Sequence, residues 1–173
     1  MQKVDGLDWV IVVAAGIFIG ILFISAWWDP TIRWLHFFQA WLYIATIILV
    51  LRKNPWGYLF GAATAAFWVY VNLFITNFFR AGREQLEILL SQGTLPRPDL
   101  SIAVPAVAAN LAIVVGGLWA YGRVRIHQPV WQDVGTFVIC TGISAGYFAA
   151  DIAIFQPRYL PLFGRLLAPH LHI

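Results

Sequence analysis

Eight polar side chains interrupt otherwise apolar runs of this sequence and could do chemistry there: His36, Gln39, Tyr43, Asn72, Asn110, Ser144, Tyr147 and Asp151. Their spacing is helical. His36, Gln39, Tyr43 and Thr46 follow one another by three, four and three residues and form one stripe, and Cys140, Ser144, Tyr147 and Asp151 form a second. Asn72 and Thr76 are one turn apart. Asp151 has the strongest chemical demand, because a carboxylate at the centre of a membrane helix costs roughly 2.5–3.5 kcal/mol and less near the helix end. It must be paired, protonated or hydrated. Functionally that describes a cation site, a proton site or an anchor for the polar head of a ligand; structurally it describes an ion pair with Arg80 or Arg33. His36 divides in the same way, between a satisfied hydrogen-bond partner and a ligand-binding or proton-handling group.

Other chemistries find less support. His36 is the only histidine inside a predicted span, so the chain cannot build a bis-histidine haem site in a bundle by itself, and no His and carboxylate spacing suits zinc or iron. His170 and His172 fall in the tail, where a mobile terminus is the simpler account than a metal site. Cys140 is the only cysteine, which excludes an intrachain disulfide, a CxxC pair and a cysteine zinc cage. Ser144 lacks a nucleophile elbow, and no paired acids or phosphate loop are visible. No metal, no cofactor and no catalytic residue is therefore expected.

The elements that must carry these residues follow from composition. The chain is 61% hydrophobic and 11% charged, against roughly 25% charged in soluble domains, which predicts an all-α integral membrane protein with one domain over 1–173. Spanning takes about 20 apolar residues, and five segments qualify, at approximately 9–28, 34–51, 56–79, 102–122 and 134–155. Trp9, Trp27, Trp28, Trp34, Trp56, Trp119 and Trp131 mark their ends, where amphipathic rings meet headgroups. Asp29-Pro30, Asn54-Pro55 and Gln128-Pro129 supply the turns between them. Residues 82–92 read as a short interfacial helix and 156–173 as an interfacial tail. The first run is too long, and its flank too acidic at Asp5 and Asp8, for a cleaved signal, so it is expected to be retained. The net charge of +3 is scattered at segment ends, which sets nucleic acid aside and leaves the bilayer as the partner of the surface. The basic residues of the two short loops favour a cytoplasmic N-terminus, and a prokaryotic inner membrane is the expected setting. Gly16 with Gly20, Gly57 with Gly61, Gly142 with Gly146, and Ala112 with Gly116 are the expected places of close helix approach.

Alternating the five helices puts His36, Gln39, Asn72, Asn77, Asn110 and Asp151 in one half of the membrane, with no comparable polar residue between helix ends in the other. Asp151, Gln39, Asn72 and Asn110 lie roughly 6 to 12 Å from their helix ends. The expectation is a one-sided polar pocket that binds a small or amphipathic ligand for transport or sensing. The alternatives are an accessory subunit of a larger membrane complex, whose polar residues meet a partner helix or cofactor, and a membrane enzyme acting on a lipid or other hydrophobic substrate; the protein partners to expect are other membrane subunits or a second copy of the chain. Five predicted helices, the chain length, the tryptophan content and Trp41-Leu42-Tyr43 are similar to the tryptophan-rich sensory proteins; the likeness is one of architecture. The small substrate-binding components of vitamin importers are similar in size but usually have six helices.

Overall fold

Asp5 starts the first helix. Its carboxylate accepts hydrogen bonds from the backbone N–H of Leu7 and Asp8 at 3.0 and 3.2 Å, and the Asp8 carboxylate accepts from the Asp5 N–H at 2.7 Å, a reciprocal capping box that fixes the entry to α1, Gly6–Trp28. Asp29 then accepts from the Thr31 N–H and hydroxyl at 2.9 and 2.6 Å, and a 3-10 turn, Pro30–Ile32, leads into α2, Arg33–Leu51. Asn54 caps the Trp56 N–H at 3.0 Å, with Pro55 at the first helical position, and opens α3, Pro55–Phe74. Asn77, with φ of 33°, reverses the chain into α4, Phe78–Gln92, which ends on Gly93 at φ of 66°. A single turn α5, Pro98–Ser101, precedes α6, Ala103–Val124, and α7 covers Val130–Phe155. This structure is a computed structural model that describes residues 4–125 and 129–161.

Five helical stretches are long and apolar enough to cross a membrane: Gly6–Trp28, Pro30–Leu51, Pro55–Phe74, Pro98–Val124 and Val130–Phe155. They correspond one to one with the predicted spans, but several ends move. The third stops at Phe74 and not at 79, because the left-handed Asn77 turns Phe78 and Phe79 into the following helix. The first and fifth begin earlier, which brings Asp8 and Asp133 inside helices. The helix expected at 82–92 starts at Phe78; Arg80 pairs with Glu84 and Arg83 with Glu87, each at 3.2 Å along its polar side. Of the expected interfacial tail, Pro157–Tyr159 is a 3-10 turn, while 162–173, with His170 and His172, lie outside the described residues.

Helix α3 is central, with 61% of its apolar window buried, whereas α7 lies at the edge with 28%. The core is joined by Phe18 of α1, whose ring meets Tyr43 of α2 at 4.5 Å and Trp68 of α3 edge-on at 4.8 Å. Close approach between α3 and α6 depends on Gly117, where an added Cβ would lie 2.7 Å from the Tyr58 carbonyl oxygen. The expected glycine contacts divide. Gly57 and Gly61 are closely packed, and Gly116 lies against Ile11, but Gly16, Gly20, Gly142 and Gly146 face open space.

Candidate functional site

A cavity of about 240 Å³ opens at the end of the bundle where α1, α3 and α7 finish and α2 and α6 begin. α1 contributes Phe18, Ile21, Leu22 and Ser25; α2 contributes Leu35, His36 and Gln39; α3 contributes Trp68, Val71 and Asn72. Ile102 and Ala106 close it on the α6 side, Phe148 and Ile152 on the α7 side, and Phe78 of α4 and Tyr159 stand at its edge. Its capacity equals roughly eight waters at about 30 Å³ each, which is small for a ligand site.

Three of the eight sequence-predicted site residues line this space: His36, Gln39 and Asn72. His36 Nδ1 lies 3.1 Å from the Leu22 carbonyl oxygen; a carbonyl can only accept, so Nδ1 carries the hydrogen and the neutral ring keeps Nε2 as an acceptor. Asn72 is committed to α3, donating from Nδ2 to the Trp68 carbonyl at 2.9 Å and accepting from the Thr76 hydroxyl at 3.2 Å. Gln39 is buried, and its Oε1 has no hydrogen-bond partner among the described residues.

The other five residues are not cavity-lining. Tyr43 donates to Asn110 Oδ1 at 2.7 Å, and Asn110 Nδ2 donates to the Ala106 carbonyl at 2.9 Å, all fully buried. Ser144 shares a 2.7 Å hydrogen bond with Thr64, and Tyr147 donates to the Phe38 carbonyl at 2.9 Å. These groups satisfy one another across helices and join α2 to α6, α3 to α7, and α7 to α2. Tyr43→Phe should therefore cost about 1–2 kcal/mol of stability, since it strands the buried Asn110 oxygen; chemical denaturation measures this, and an unchanged midpoint would remove the hydrogen bond from the account.

Asp151 is only 4% exposed, and among the described residues neither carboxylate oxygen has a hydrogen-bond partner. The ion pair with Arg80 is not formed, because α4 holds Arg80 at the surface beside Glu84, and Arg33 makes no pair with Asp151 either. Asp151 follows Phe148 by one turn and adjoins Ile152, both of which line the cavity. Sequence spacing did not single out Ser25, Phe18, Trp68, Phe148 or Tyr159; apart from the proximity of Ser25 and Tyr159 to helix ends, nothing in their pattern separates them from packing residues.

The opposite end of the bundle holds polar groups that the expected apolar half lacks. Asp8, fully buried, accepts from the Tyr58 hydroxyl at 2.7 Å and forms an ion pair with Lys53, which also reaches Asp5 at 3.4 Å. Asp133 accepts from the Tyr121 hydroxyl at 2.6 Å and pairs with Arg125 at 2.6 Å. The Asp8 backbone N–H, opposed by burial and aided by Lys53, holds the Asp5 carboxyl below its ordinary pKa. Burial works against the Lys53 ammonium, but hydrogen bonding and charge from Asp8 outweigh it and raise its pKa. Every charge in this cluster has an internal partner, so it reads as a fastening of α1 to α3 and to the turn between α2 and α3.

Among the described residues no group of three or more His, Cys, Asp or Glu side chains is placed to hold a metal ion. Fold and site together define an all-helical protein with five potential membrane spans and an internal cavity open at one end. Comparison with protein-family models, with curated proteins and with solved structures finds no match.

Proposed function

We propose that this is a membrane-spanning protein whose one-ended cavity binds a small amphipathic ligand, in the service of transport or sensing. The observation that carries the reading is the buried Gln39 Oε1, unpartnered among the described residues, in the wall of a largely apolar space. An unsatisfied polar atom costs free energy, which a polar ligand group recovers. Insertion in a bilayer is supported by exposed tryptophans in two tiers, with Trp9, Trp56, Trp119 and Trp131 at one end of the bundle and Trp27, Trp28 and Trp34 at the other. Between them the outer surface exposes Val13, Ile17, Val115, Ile139 and Ile143, side chains that suit acyl chains. α4 then lies along the interface, exposing Leu86, Leu89 and Leu90 beside its ion-paired polar side. Basic residues in the short loops at Arg52-Lys53 and Arg123–Arg125 support a cytoplasmic N-terminus. A subunit role gains nothing from Asn110, which is fully buried and paired with Tyr43 and not presented to a partner helix.

The test uses the full chain in lipid nanodiscs and a panel of aryl-alkyl amines, alcohols and carboxylates of roughly ten non-hydrogen atoms, matched to the cavity. Saturable binding above that of empty discs is expected for at least one member. Ser25→Phe, which fills the cavity from its rim, should weaken that binding by at least about tenfold while shifting the melting midpoint by no more than about 2 °C. Absence of saturable binding by the native chain, or undiminished binding by the filled variant, would reject the reading.

A further inference from the structure

The buried side-chain atoms that lack a hydrogen-bond partner among the described residues are Gln39 Oε1 and the two Asp151 oxygens. All three are acceptors. His36 adds a fourth acceptor in its neutral form, because Nδ1 is committed to the Leu22 carbonyl. On the α3 wall Asn72 gives one Nδ2 N–H to the Trp68 carbonyl, and the Thr76 hydroxyl donates to Asn72 Oδ1. No cation of the described residues lies within ion-pair distance of Asp151: at this end Arg80 is paired with Glu84, and Arg158 sits 3.4 Å from the Thr31 hydroxyl. A cation entering the adjoining space would supply, over several ångströms, the counter-charge that an enclosed carboxylate needs. That space is bounded by the aromatic rings of Phe18, Trp68 and Phe148, a residue type whose faces attract cations.

We infer that the cavity selects a lipophilic amine: a small apolar body carrying a protonated primary or secondary nitrogen, whose N–H donates to Gln39 Oε1 and whose charge is balanced by Asp151. This rests on the cavity being a ligand site and specifies what it takes. A carboxylate ligand would bring a second acid beside Asp151 with no counter-charge for either, and a hydrocarbon would leave Gln39 Oε1 stranded; an alcohol would satisfy Gln39 but not Asp151.

The experiment measures binding of 2-phenylethylamine, 2-phenylethanol and 3-phenylpropionate at neutral pH to the full chain in discs of zwitterionic lipid, with empty discs subtracted. The amine should bind at least about tenfold more tightly than the carboxylate, with the alcohol between them. Asp151→Asn, which keeps shape and removes charge, should bring the amine and the alcohol to within about threefold of each other. Gln39→Leu, a variant independent of Asp151, should weaken amine and alcohol together. Equal or tighter binding of the carboxylate, or an amine preference that survives Asp151→Asn, would overturn the amine assignment and leave the cavity standing as a ligand site. No saturable binding by any of the three would overturn both.

Discussion

Lys53→Met should be among the most damaging single substitutions in this chain, lowering unfolding free energy by about 3–5 kcal/mol. The reason is Asp8, which is fully buried and holds three partners: the Lys53 ammonium, the Tyr58 hydroxyl and the Asp5 backbone N–H. Removing Lys53 leaves a buried carboxylate without its counter-ion, and breaking such a pair costs far more than never having had it. Asp8→Asn in the Lys53→Met background should therefore restore part of the loss, since the double variant carries no uncompensated charge. Tyr58→Phe, which removes one neutral donor, should cost less, about 1–3 kcal/mol. Equilibrium unfolding in mixed micelles resolves the series, and an additive double variant would break the proposed coupling. The pH dependence has a definite sign. Lys53 has a raised pKa in the folded chain, so its contribution is complete below the unfolded value of 10.5 and is lost as pH climbs through the folded one. Asp5 has a lowered pKa, so its contribution is complete above the unfolded value of 3.8 and is lost as pH falls through the folded one. This end of the bundle should thus be firmest between those limits.

The same cluster shows what could be read in the sequence and what could not. Five apolar runs bounded by tryptophan and by Asp29-Pro30 or Asn54-Pro55 were sufficient for five long helices, because length, apolar content and turn chemistry are local properties. Asp8 and Asp133 were assigned to flanks, since hydropathy marks where apolar residues begin and not where a helix is capped; the capping box at Asp5 starts α1 three residues before Trp9. The third span was drawn through Ile75, Thr76 and Asn77 for a related cause. Asparagine tolerates the left-handed conformation at Asn77, and an apolar average over the segment cannot register that reversal.

The polar half-pocket was legible as a location, because helical periodicity and antiparallel order place residues by depth. Which polar groups remain free was not legible, since that depends on pairs far apart in sequence. Tyr43 and Asn110 are 67 residues apart, Thr64 and Ser144 are 80 apart, and Tyr147 reaches Phe38 across 109. Once those pairs form, Gln39 and Asp151 remain, among the described residues, as the buried side chains with unpartnered oxygens. The subtraction, more than the stripes themselves, narrows the polar residues to the two on which the proposed amine site rests.

Gly117→Leu should prevent α3 and α6 from docking, with a loss of about 3 kcal/mol or more, toward the severe end of overpacking effects. Even the Cβ would meet the Tyr58 carbonyl oxygen at 2.7 Å and the Ala62 Cβ at 3.3 Å. A flexible side chain can swing away from an intruding methyl, but a carbonyl in the first turns of α3 moves only with its helix. Displacing it also moves the Tyr58 side chain, whose hydroxyl reaches Asp8 at 2.7 Å, so the packing defect should weaken the polar fastening as well. Gly117→Ala should already cost about 1–3 kcal/mol. Gly146→Ala provides the contrast, because nothing lies within 4 Å of its added Cβ and alanine is the better helix former by nearly 1 kcal/mol. It should leave stability unchanged or slightly improved. Parallel unfolding curves for the three variants decide the matter: if Gly117→Ala behaves like Gly146→Ala, the close approach of α3 and α6 does not exist, and the shared placement of Tyr58 and Asp8 loses its support with it.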